Sequence, residues 1–267
     1  MTPTLNLVDR GTGHPAIVFI HGFTCSLTDW KEQLHSLSAS YRCIAVDLPG
    51  HGASPAPAEI SIEVLAKAVN DTLDVLQVED VVLVGHSMGC RVASEAFSQQ
   101  PDRVRGIVYV DGSILAPGDP DLAVKQTMEK IARLGMDRIL GQLYEDFFVE
   151  STPATARAFV NARLPAIRMD FASRLWPEIV RWDAARSRAV LATLTVPALA
   201  IQSTCLDANF KRASLPPGQT TPWLDALSEL VKDLTLTVVP GIGHVPMLET
   251  PRQTNDAILS FVQRLGR

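Results

Sequence analysis

The sequence predicts an α/β protein with a mostly parallel sheet flanked by helices. Short apolar runs rich in β-branched residues recur along the chain, and helical patterns separate them. Such an alternation builds a parallel sheet with helices on both faces. The runs expected to form strands are Ala16–Ile20, Arg42–Val46, Val81–Val84, Ile107–Val110, Ala198–Gln202 and Leu234–Val239.

Three segments carry the helical pattern most clearly: Ile62–Leu76, Met88–Ser98 and Arg252–Leu265. The last of them has a recognisable start. Thr250 is expected to cap it, with Pro251 at the first helical position and Gln253 placed to return a hydrogen bond to the cap. The apolar side of this helix suits docking on the sheet.

Composition and charge exclude several classes of protein. The 267 residues are 46% hydrophobic and 20% charged, which fits one large globular domain, or a domain with a sizeable insertion. The net charge of −5 comes without a basic stripe, so nucleic-acid binding is not expected. The four cysteines form no CxxC pair, so neither a disulfide framework nor a zinc site is indicated.

Location is predicted from what the chain lacks. No apolar stretch approaches the ~20 residues needed to cross a bilayer. The first residues show neither the positive patch nor the apolar core of a secretory signal. We therefore expect a cytoplasmic protein without a membrane partner.

The strand rhythm breaks in the second half of the chain. From about Leu122 to Ala192 the sequence has the pattern of several amphipathic helices, and strands resume only at Val196. This predicts a helical insertion, residues 115–193, that caps one edge of a sheet domain formed by residues 1–114 and 194–267.

The most informative segment is Gly85-His86-Ser87-Met88-Gly89, between a predicted strand and a predicted helix. A serine at such a sharp turn is strained, and small flanking residues allow helix and strand to approach closely. The turn would expose the Ser87 hydroxyl at a helix N-terminus, with the Met88 N–H as a donor to a developing oxyanion. An ordinary glycine-rich turn is the alternative, but the strand and helix around it favour a nucleophile.

Four motifs together resemble the α/β-hydrolase superfamily: His21-Gly22-Phe23, the segment 47–54 (DLPGHGAS), the Ser87 turn, and 240–244 (PGIGH). The resemblance covers nearly the whole chain apart from the insertion. It implies an α/β-hydrolase fold with the helical cap inserted after the sixth core strand. It also assigns the second oxyanion N–H to Phe23, in agreement with the two backbone donors that acyl transfer requires.

A serine nucleophile needs a base, and histidine is the natural proton shuttle. Among the six histidines, His244 follows a predicted strand and a flexible glycine-containing turn that would bring it over the carboxyl edge of the sheet. It is the expected general base. His14 and His35 lie in polar surroundings, whereas the histidines of the glycine turns, at 21, 51 and 86, are expected to support loops.

Two aspartates compete as the group that orients His244. Asp111 ends a predicted strand, 24 residues after Ser87, and its Gly-Ser neighbours would let the loop turn toward the histidine. Asp207 follows the next strand, where the family more often has its acid, but the local match is imperfect. We favour Asp111 and keep Asp207 open. Asp47 belongs to a turn motif and is a poorer candidate.

The resemblance implies a serine hydrolase that cleaves a carboxylic ester of a small, fairly apolar substrate through an acyl-enzyme, without metal or organic cofactor. Serine argues against dehalogenases and epoxide hydrolases of this fold, which use an aspartate nucleophile. A lactonase or C–C bond hydrolase would use the same residues. A ligand-binding receptor of this fold is an alternative from another class. The sequence leaves the oligomeric state open.

The insertion contains aromatic and basic residues that invite a functional interpretation. Aromatic side chains at helical spacing usually pack a helix against its neighbours, and only a few are expected to line a substrate pocket. These aromatic residues are Phe147, Phe148, Phe159, Phe171, Trp176 and Trp182. Its arginines, Arg163, Arg168, Arg174 and Arg181, stand near acidic residues and are expected on a solvated, paired surface.

Overall fold

Seven strands form the main sheet of the computed structural model, which describes residues 5–114, 118–206 and 211–266. They are β1 (Leu7–Arg10), β2 (Ala16–Ile20), β3 (Cys43–Val46), β4 (Val81–His86), β5 (Val104–Val110), β6 (Ala198–Gln202) and β9 (Leu234–Val238). Their order across the sheet is β1-β3-β2-β4-β5-β6-β9. β1 runs antiparallel to β3, and the other neighbours are parallel. The predicted α/β class with a mostly parallel sheet is confirmed.

The central strands are buried on both faces, as expected of parallel strands covered by helices. Every residue of β2, β3 and β4 is buried. β9 is half-exposed at one edge of the sheet, with Leu236 45% accessible. A separate antiparallel pair, β7 (Thr204–Leu206) and β8 (Arg212–Ser214), follows β6.

Helices cover both faces of the sheet. On one face α1 (Lys31–Leu37) packs on α11 (Pro251–Leu265), and on the other α2 (Ile62–Val75) packs on α3 (Met88–Gln99). The α-helices are α1 (Lys31–Leu37), α2 (Ile62–Val75), α3 (Met88–Gln99), α4 (Pro120–Leu134), α5 (Met136–Glu145), α6 (Ala154–Asn161), α7 (Met169–Ala185), α8 (Ser187–Ala192), α9 (Pro222–Leu230), α10 (Pro246–Glu249) and α11 (Pro251–Leu265). Short 3₁₀ helices lie at Leu27–Trp30, Pro101–Arg103 and Leu164–Ala166.

The last helix begins at Pro251 as predicted, but the expected side-chain cap is wrong. Thr250 does stand at its N-cap position, but its side chain makes no capping bond. The Thr250 hydroxyl instead donates to the carbonyl of Pro246. The reason is that α10 ends directly before α11, so that the hydroxyl meets the free carbonyls of the preceding helix.

The order of the strands creates a crevice at the carboxyl edge of the sheet. The chain passes from β2 outward to β3, and then returns to the other side of β2 to form β4, β5, β6 and β9. The loops that leave β2 and β4 therefore diverge, which is the usual place for a ligand in an open α/β sheet.

Helices α4 to α8 all lie between β5 and β6, and the described residues of this segment contain no strand. They follow the fifth strand of this chain rather than the sixth, because only β1, β2 and β3 precede the strand that leads to Ser87. The division of the chain into a sheet domain and a cap at residues 115–193 stays a prediction.

Buried polar contacts tie these helices to the sheet domain. Arg91 of α3 and Asp183 of α7 form a two-pronged ion pair at 2.6 and 2.7 Å, with both side chains almost fully buried. Arg163 pairs with the buried Asp29. The expectation of a solvated surface is therefore wrong for Arg163, because its carboxylate partner comes from the 3₁₀ helix after β2, far away in the sequence.

Removing the charge of Asp183 tests this connection. We expect Asp183→Asn to lower the free energy of unfolding by about 3–5 kcal/mol, because the Arg91 charge would stay buried without its carboxylate. Urea unfolding measures the loss. Arg181→Gln on the same helix is the control, since Arg181 is 43% exposed beside Asp121 and its ion pair contributes at most ~1 kcal/mol. Equal effects of the two substitutions would contradict the prediction.

Candidate active site

Ser87 occupies the sharp turn between β4 and α3. Its backbone has φ +53° and ψ −115°, in the left-handed region that side chains other than glycine rarely adopt. The flanking glycines are required by close contacts: a Cβ at Gly85 would lie 2.3 Å from the Gly89 carbonyl, and one at Gly89 2.3 Å from the Ile20 carbonyl. The turn therefore presents the Ser87 hydroxyl above the sheet edge.

His244 lies beside Ser87. Its Nε2 is 3.0 Å from the Ser87 Oγ, within hydrogen-bond distance. The loop that carries it follows β9, as the sequence predicted, and the imidazole is fully buried. Of the two ring nitrogens, Nε2 is thus the one that faces the hydroxyl.

The backbone of His244 is fixed from two sides. Its N–H donates to the carbonyl of Phe147 at 2.7 Å, and its carbonyl lies 2.8 Å from Nε2 of the buried His86. The Glu249 carboxylate accepts the N–H groups of Gly243 and Val245 on either side. His86 therefore supports a loop, as expected, and the loop that it supports carries His244.

Asp111 meets the second nitrogen of the imidazole. Its Oδ2 is 2.5 Å from His244 Nδ1, and its Oδ1 accepts the N–H groups of Ser203 and Thr204, each at 2.8 Å. The Thr204 hydroxyl donates to Oδ2 at 2.5 Å. The structure thus joins Ser87, His244 and Asp111 in one chain of hydrogen bonds.

Two other aspartates were considered from the sequence as the orienting acid. Asp207 lies outside the described residues. Asp47 accepts hydrogen bonds from Asn6, Leu27 and Ala53, so that its carboxylate fixes the turn after β3. This agrees with its expected place in a turn motif.

Phe23 and Met88, the two expected oxyanion donors, border the same cavity as Ser87 and His244. Met88 is the first residue of α3, where a backbone N–H has no acceptor within the helix. Phe23 stands in the turn after β2, directly before Thr24, whose φ is +57°. Both residues therefore lie at the diverging loops of the crevice.

The cavity at Ser87 is small, about 40 Å³. Its wall is mainly apolar and includes Leu143, Phe147, Trp176 and Ile179 from the segment between β5 and β6. Only two of the six aromatic residues singled out in that segment border it. Trp182, for example, is buried and donates its indole N–H to Glu95. Most of these aromatic side chains thus pack the helices, as expected.

The protonation states suit proton transfer at neutral pH. Desolvation and the nearby charge of Arg212 lower the pKa of His244 well below 6.5, although the bond to Asp111 opposes them. Burial alone would raise the pKa of Asp111, but the hydrogen bond and charge of His244, together with Arg212 and Thr204, lower it below its usual range. His244 is therefore neutral and Asp111 ionised at pH 7.

Sequence reasoning missed several residues of the site. Thr204 and Glu249 orient Asp111 and the His244 loop, and Arg212 lies 3.4 Å from Asp111 Oδ2. A signal existed for Thr204, which follows a buried strand at the edge where Asp111 ends another. Arg212 gave none, because it belongs to a short hairpin without a recognisable pattern.

The alpha/beta hydrolase family model matches residues 17–257. These residues include the Ser87 turn, Asp111 and the His244 loop. The chain therefore belongs to the alpha/beta hydrolase family.

Two curated relatives show how this similarity is distributed. A 2-(acetamidomethylene)succinate hydrolase of Mesorhizobium japonicum is 28% identical over 269 residues, covering 97% of this chain and 91% of the relative. An epoxide hydrolase of Caballeronia sordidicola is 37% identical over 120 residues, 43% of this chain. That match spans only 36% of the epoxide hydrolase, so it concerns a part of each protein.

Solved structures support the fold over the full length. An esterase from Thermogutta terrifontis with malate bound superposes with a TM-score of 0.81 at 23% identity, covering 98% of this chain and 93% of the esterase. An enol-lactonase from Burkholderia xenovorans has a TM-score of 0.76 at 22% identity, covering 97% and 96% of the two chains. At these identities the likeness concerns the fold.

Within the described residues, neither the helices nor the grouping of potential ligands points to a membrane span or a metal site. None of the helices there has the length and apolar character needed to span a membrane. No group of three or more His, Cys, Asp or Glu side chains within the described ranges is arranged to hold a metal ion.

The buried histidines predict how stability depends on pH. Desolvation lowers the pKa values of His21, His51, His86 and His244. The unfolded chain binds these protons near pH 6.5 and the folded chain does not, so the free energy of unfolding should fall as pH drops below 6.5. Each histidine contributes up to ~1.4 kcal/mol per pH unit. Urea unfolding between pH 7.5 and 5.5 measures this slope.

A pair of variants isolates the effect. His51→Gln should make the slope shallower, because one buried imidazole is removed. His35→Gln, at an exposed position on α1, should leave the slope of the wild type unchanged. A slope that is the same in all three proteins would show that buried histidines do not govern the acid stability.

Proposed function

We propose that this protein is a serine hydrolase that cleaves a carboxylic ester of a small, fairly apolar substrate through an acyl-enzyme. The observation that carries the proposal is the chain of hydrogen bonds from Ser87 Oγ through the His244 ring to Asp111. A neutral imidazole between a hydroxyl and a buried carboxylate is the arrangement that activates a serine nucleophile.

Each step of the proposed reaction is assigned to a residue. Ser87 Oγ attacks the ester carbonyl while His244 Nε2 takes its proton, and Asp111 stabilises the imidazolium that forms. The N–H groups of Phe23 and Met88 donate to the oxyanion of the tetrahedral intermediate. As the C–O bond breaks, His244 returns the proton to the leaving alcohol. Water then attacks the acyl-enzyme by the same route and releases the acid.

The nucleophile and the cavity both favour an ester as the scissile bond. Epoxide hydrolases of this fold use an aspartate where this chain has Ser87, which weighs against that activity despite the partial match to an epoxide hydrolase. The apolar walls contributed by Phe147 and Trp176 favour an uncharged group next to the scissile carbonyl. The Mesorhizobium relative is named as a hydrolase of a succinate derivative.

A lactonase or C–C bond hydrolase is the second candidate. The same three residues would serve it, and a solved structure of similar fold is an enol-lactonase. A lactone differs from an open ester only in that its leaving alcohol stays attached to the acyl group. Turnover of matched lactones and open esters therefore distinguishes the two reactions.

A fluorophosphonate probe tests the nucleophile. We expect covalent labelling of the wild type and its complete loss in Ser87→Ala, because the probe reacts with an activated serine hydroxyl. Labelling is read by intact-protein mass spectrometry. Ser113→Ala is the matched control, since Ser113 borders the same cavity and should leave labelling intact. A folded wild type that stays unlabelled would instead favour a receptor that does not hydrolyse its ligand.

Asp111→Asn tests the orienting acid. The N–H groups of Ser203 and Thr204 would hold the amide oxygen at the place of Oδ1, so that the NH₂ group faces His244 Nδ1. The imidazole then carries its proton on Nε2 and cannot accept one from Ser87. We expect kcat for nitrophenyl esters to fall by about 10⁴-fold without loss of the fold.

Asp207→Asn serves as the comparison in the same assay, with circular dichroism to verify folding. It should retain most of the activity of the wild type. An active Asp111→Asn together with an inactive Asp207→Asn would move the acid to the other aspartate.

A further inference from the structure

A second and larger cavity adjoins the one at Ser87. It has a volume of about 520 Å³ and lies between the loop after β5, the β7–β8 hairpin and helices α7, α8 and α9. The two cavities share Ser113 and Arg212 in their walls. Ser113 and Arg212 therefore face both the Ser87 cavity and the larger space.

Arg212 is a buried cation with incomplete pairing. Its side chain is only 5% exposed, and its Nη1 donates to the Thr204 hydroxyl at 2.6 Å. Among the described residues, the nearest carboxylate oxygen to Arg212 is Asp111 Oδ2, at 3.4 Å. Both oxygens of that carboxylate already accept shorter hydrogen bonds, from His244, Ser203 and Thr204.

One donor of Arg212 is not used within the described part of the protein. Its Nε is buried and has no hydrogen-bond partner there. A guanidinium group buried without a fully engaged anion is costly, and a ligand that supplies one would recover much of that cost. The planar donor fork of arginine is suited to a carboxylate.

Two more buried polar atoms without a partner among the described residues border the large cavity: Trp223 Nε1 and Gln202 Oε1. The orientation of the Gln202 amide is fixed, because its Nε2 donates to the carbonyls of Gly112 and Thr204. Its Oε1 is therefore an acceptor. The residues that line the cavity thus include a cationic donor, a neutral N–H donor and one acceptor, each buried and without a partner among the described residues.

The other ion pairs at this cavity are already formed. Asp183 is paired with Arg91, and Arg188 is paired with Glu229 at the exposed rim. Arg212 is thus the cation best placed to bind an anionic group of a ligand.

We propose that Arg212 binds a carboxylate of the substrate, so that the enzyme prefers small esters with a carboxylate at the end remote from the scissile bond. The Trp223 N–H is a second donor in the same cavity, and Gln202 accepts from a hydroxyl or amide N–H of the substrate. This inference rests on the proposed ester hydrolysis at Ser87, and it adds a charged end to a substrate that is otherwise apolar.

Matched pairs of esters test the preference. Monomethyl succinate, glutarate and adipate are each compared with the methyl ester in which an isopropyl group replaces the carboxylate. Proton release gives kcat/KM for each. We expect the wild type to prefer the carboxylate member of at least one pair by about tenfold or more, as is typical of hydrogen bonds to charged groups.

Variants assign the preference to Arg212. Arg212→Met should abolish it, Arg212→Lys should retain part of it, and Trp223→Phe should reduce it by a few-fold. The preference is a ratio of two esters, so damage to catalysis through Asp111 affects both members and cancels. Arg188→Gln removes a positive charge from the rim of the same cavity and should leave the ratio unchanged.

Binding provides a readout that does not need turnover. In Ser87→Ala, calorimetry with succinate, glutarate and adipate should give a Kd for at least one of them. Adding Arg212→Met should raise that Kd by about tenfold or more. Turnover of neutral esters with no preference, and with no effect of Arg212→Met on the ratio or the Kd, would overturn this inference and leave the proposed hydrolase intact. Carboxylate binding that depends on Arg212, in a protein whose Ser87 is not labelled, would instead overturn the proposed hydrolase and leave the carboxylate site intact.

Discussion

The register between β4 and β5 is the constraint on which the site depends. His86 pairs with Val110 at the carboxyl ends of these parallel strands, so that Ser87 and Asp111 are the next residues on each. The N–H of Ser87 donates to the carbonyl of Val110 at 3.0 Å. Both residues then turn through the left-handed region, with φ +53° and +46°. The two side chains are thereby fixed on either side of His244. A slip of one residue by either strand would turn the side chains of that strand to the other face of the sheet and move its site residue away from His244.

Asp111 also joins parts of the chain that are distant in sequence. It binds the start of β7 through two N–H groups and a hydroxyl, and the loop after β9 through His244. A buried carboxylate is favourable only when it accepts such bonds, so this one both stabilises the fold and orients the imidazole. Arg212 adds a charge that lowers the pKa of both Asp111 and His244. The electrostatics of the site therefore depend on the hairpin as well as on the sheet.

The fold was predictable from the sequence because its evidence is local. Buried strands and the Ser87 turn can be recognised in runs of five to ten residues. The role of His244 was predicted from the strand and the glycine turn that precede it. The acid remained open between two aspartates, since the choice depends on which strand end reaches the histidine in space. Contacts between distant residues were not predictable: Arg163 was expected at the surface, yet its partner Asp29 lies 134 positions earlier. Arg212 was missed for the same reason, because its place beside Asp111 follows from contacts in space and not from its neighbours in the sequence.

One backbone contact links substrate entry to the readiness of the base. The carbonyl that accepts the His244 N–H belongs to Phe147, which also forms part of the wall of the Ser87 cavity. That cavity, of about 40 Å³, has room for only a few water molecules, so a bulkier ester would have to move one of its walls to lie beside the serine. If the wall that moves is the one with Phe147, the anchor of the imidazole moves with it. His244 would then be held less firmly while the cavity is open. It would be correctly placed for proton transfer only after the wall has closed on the substrate.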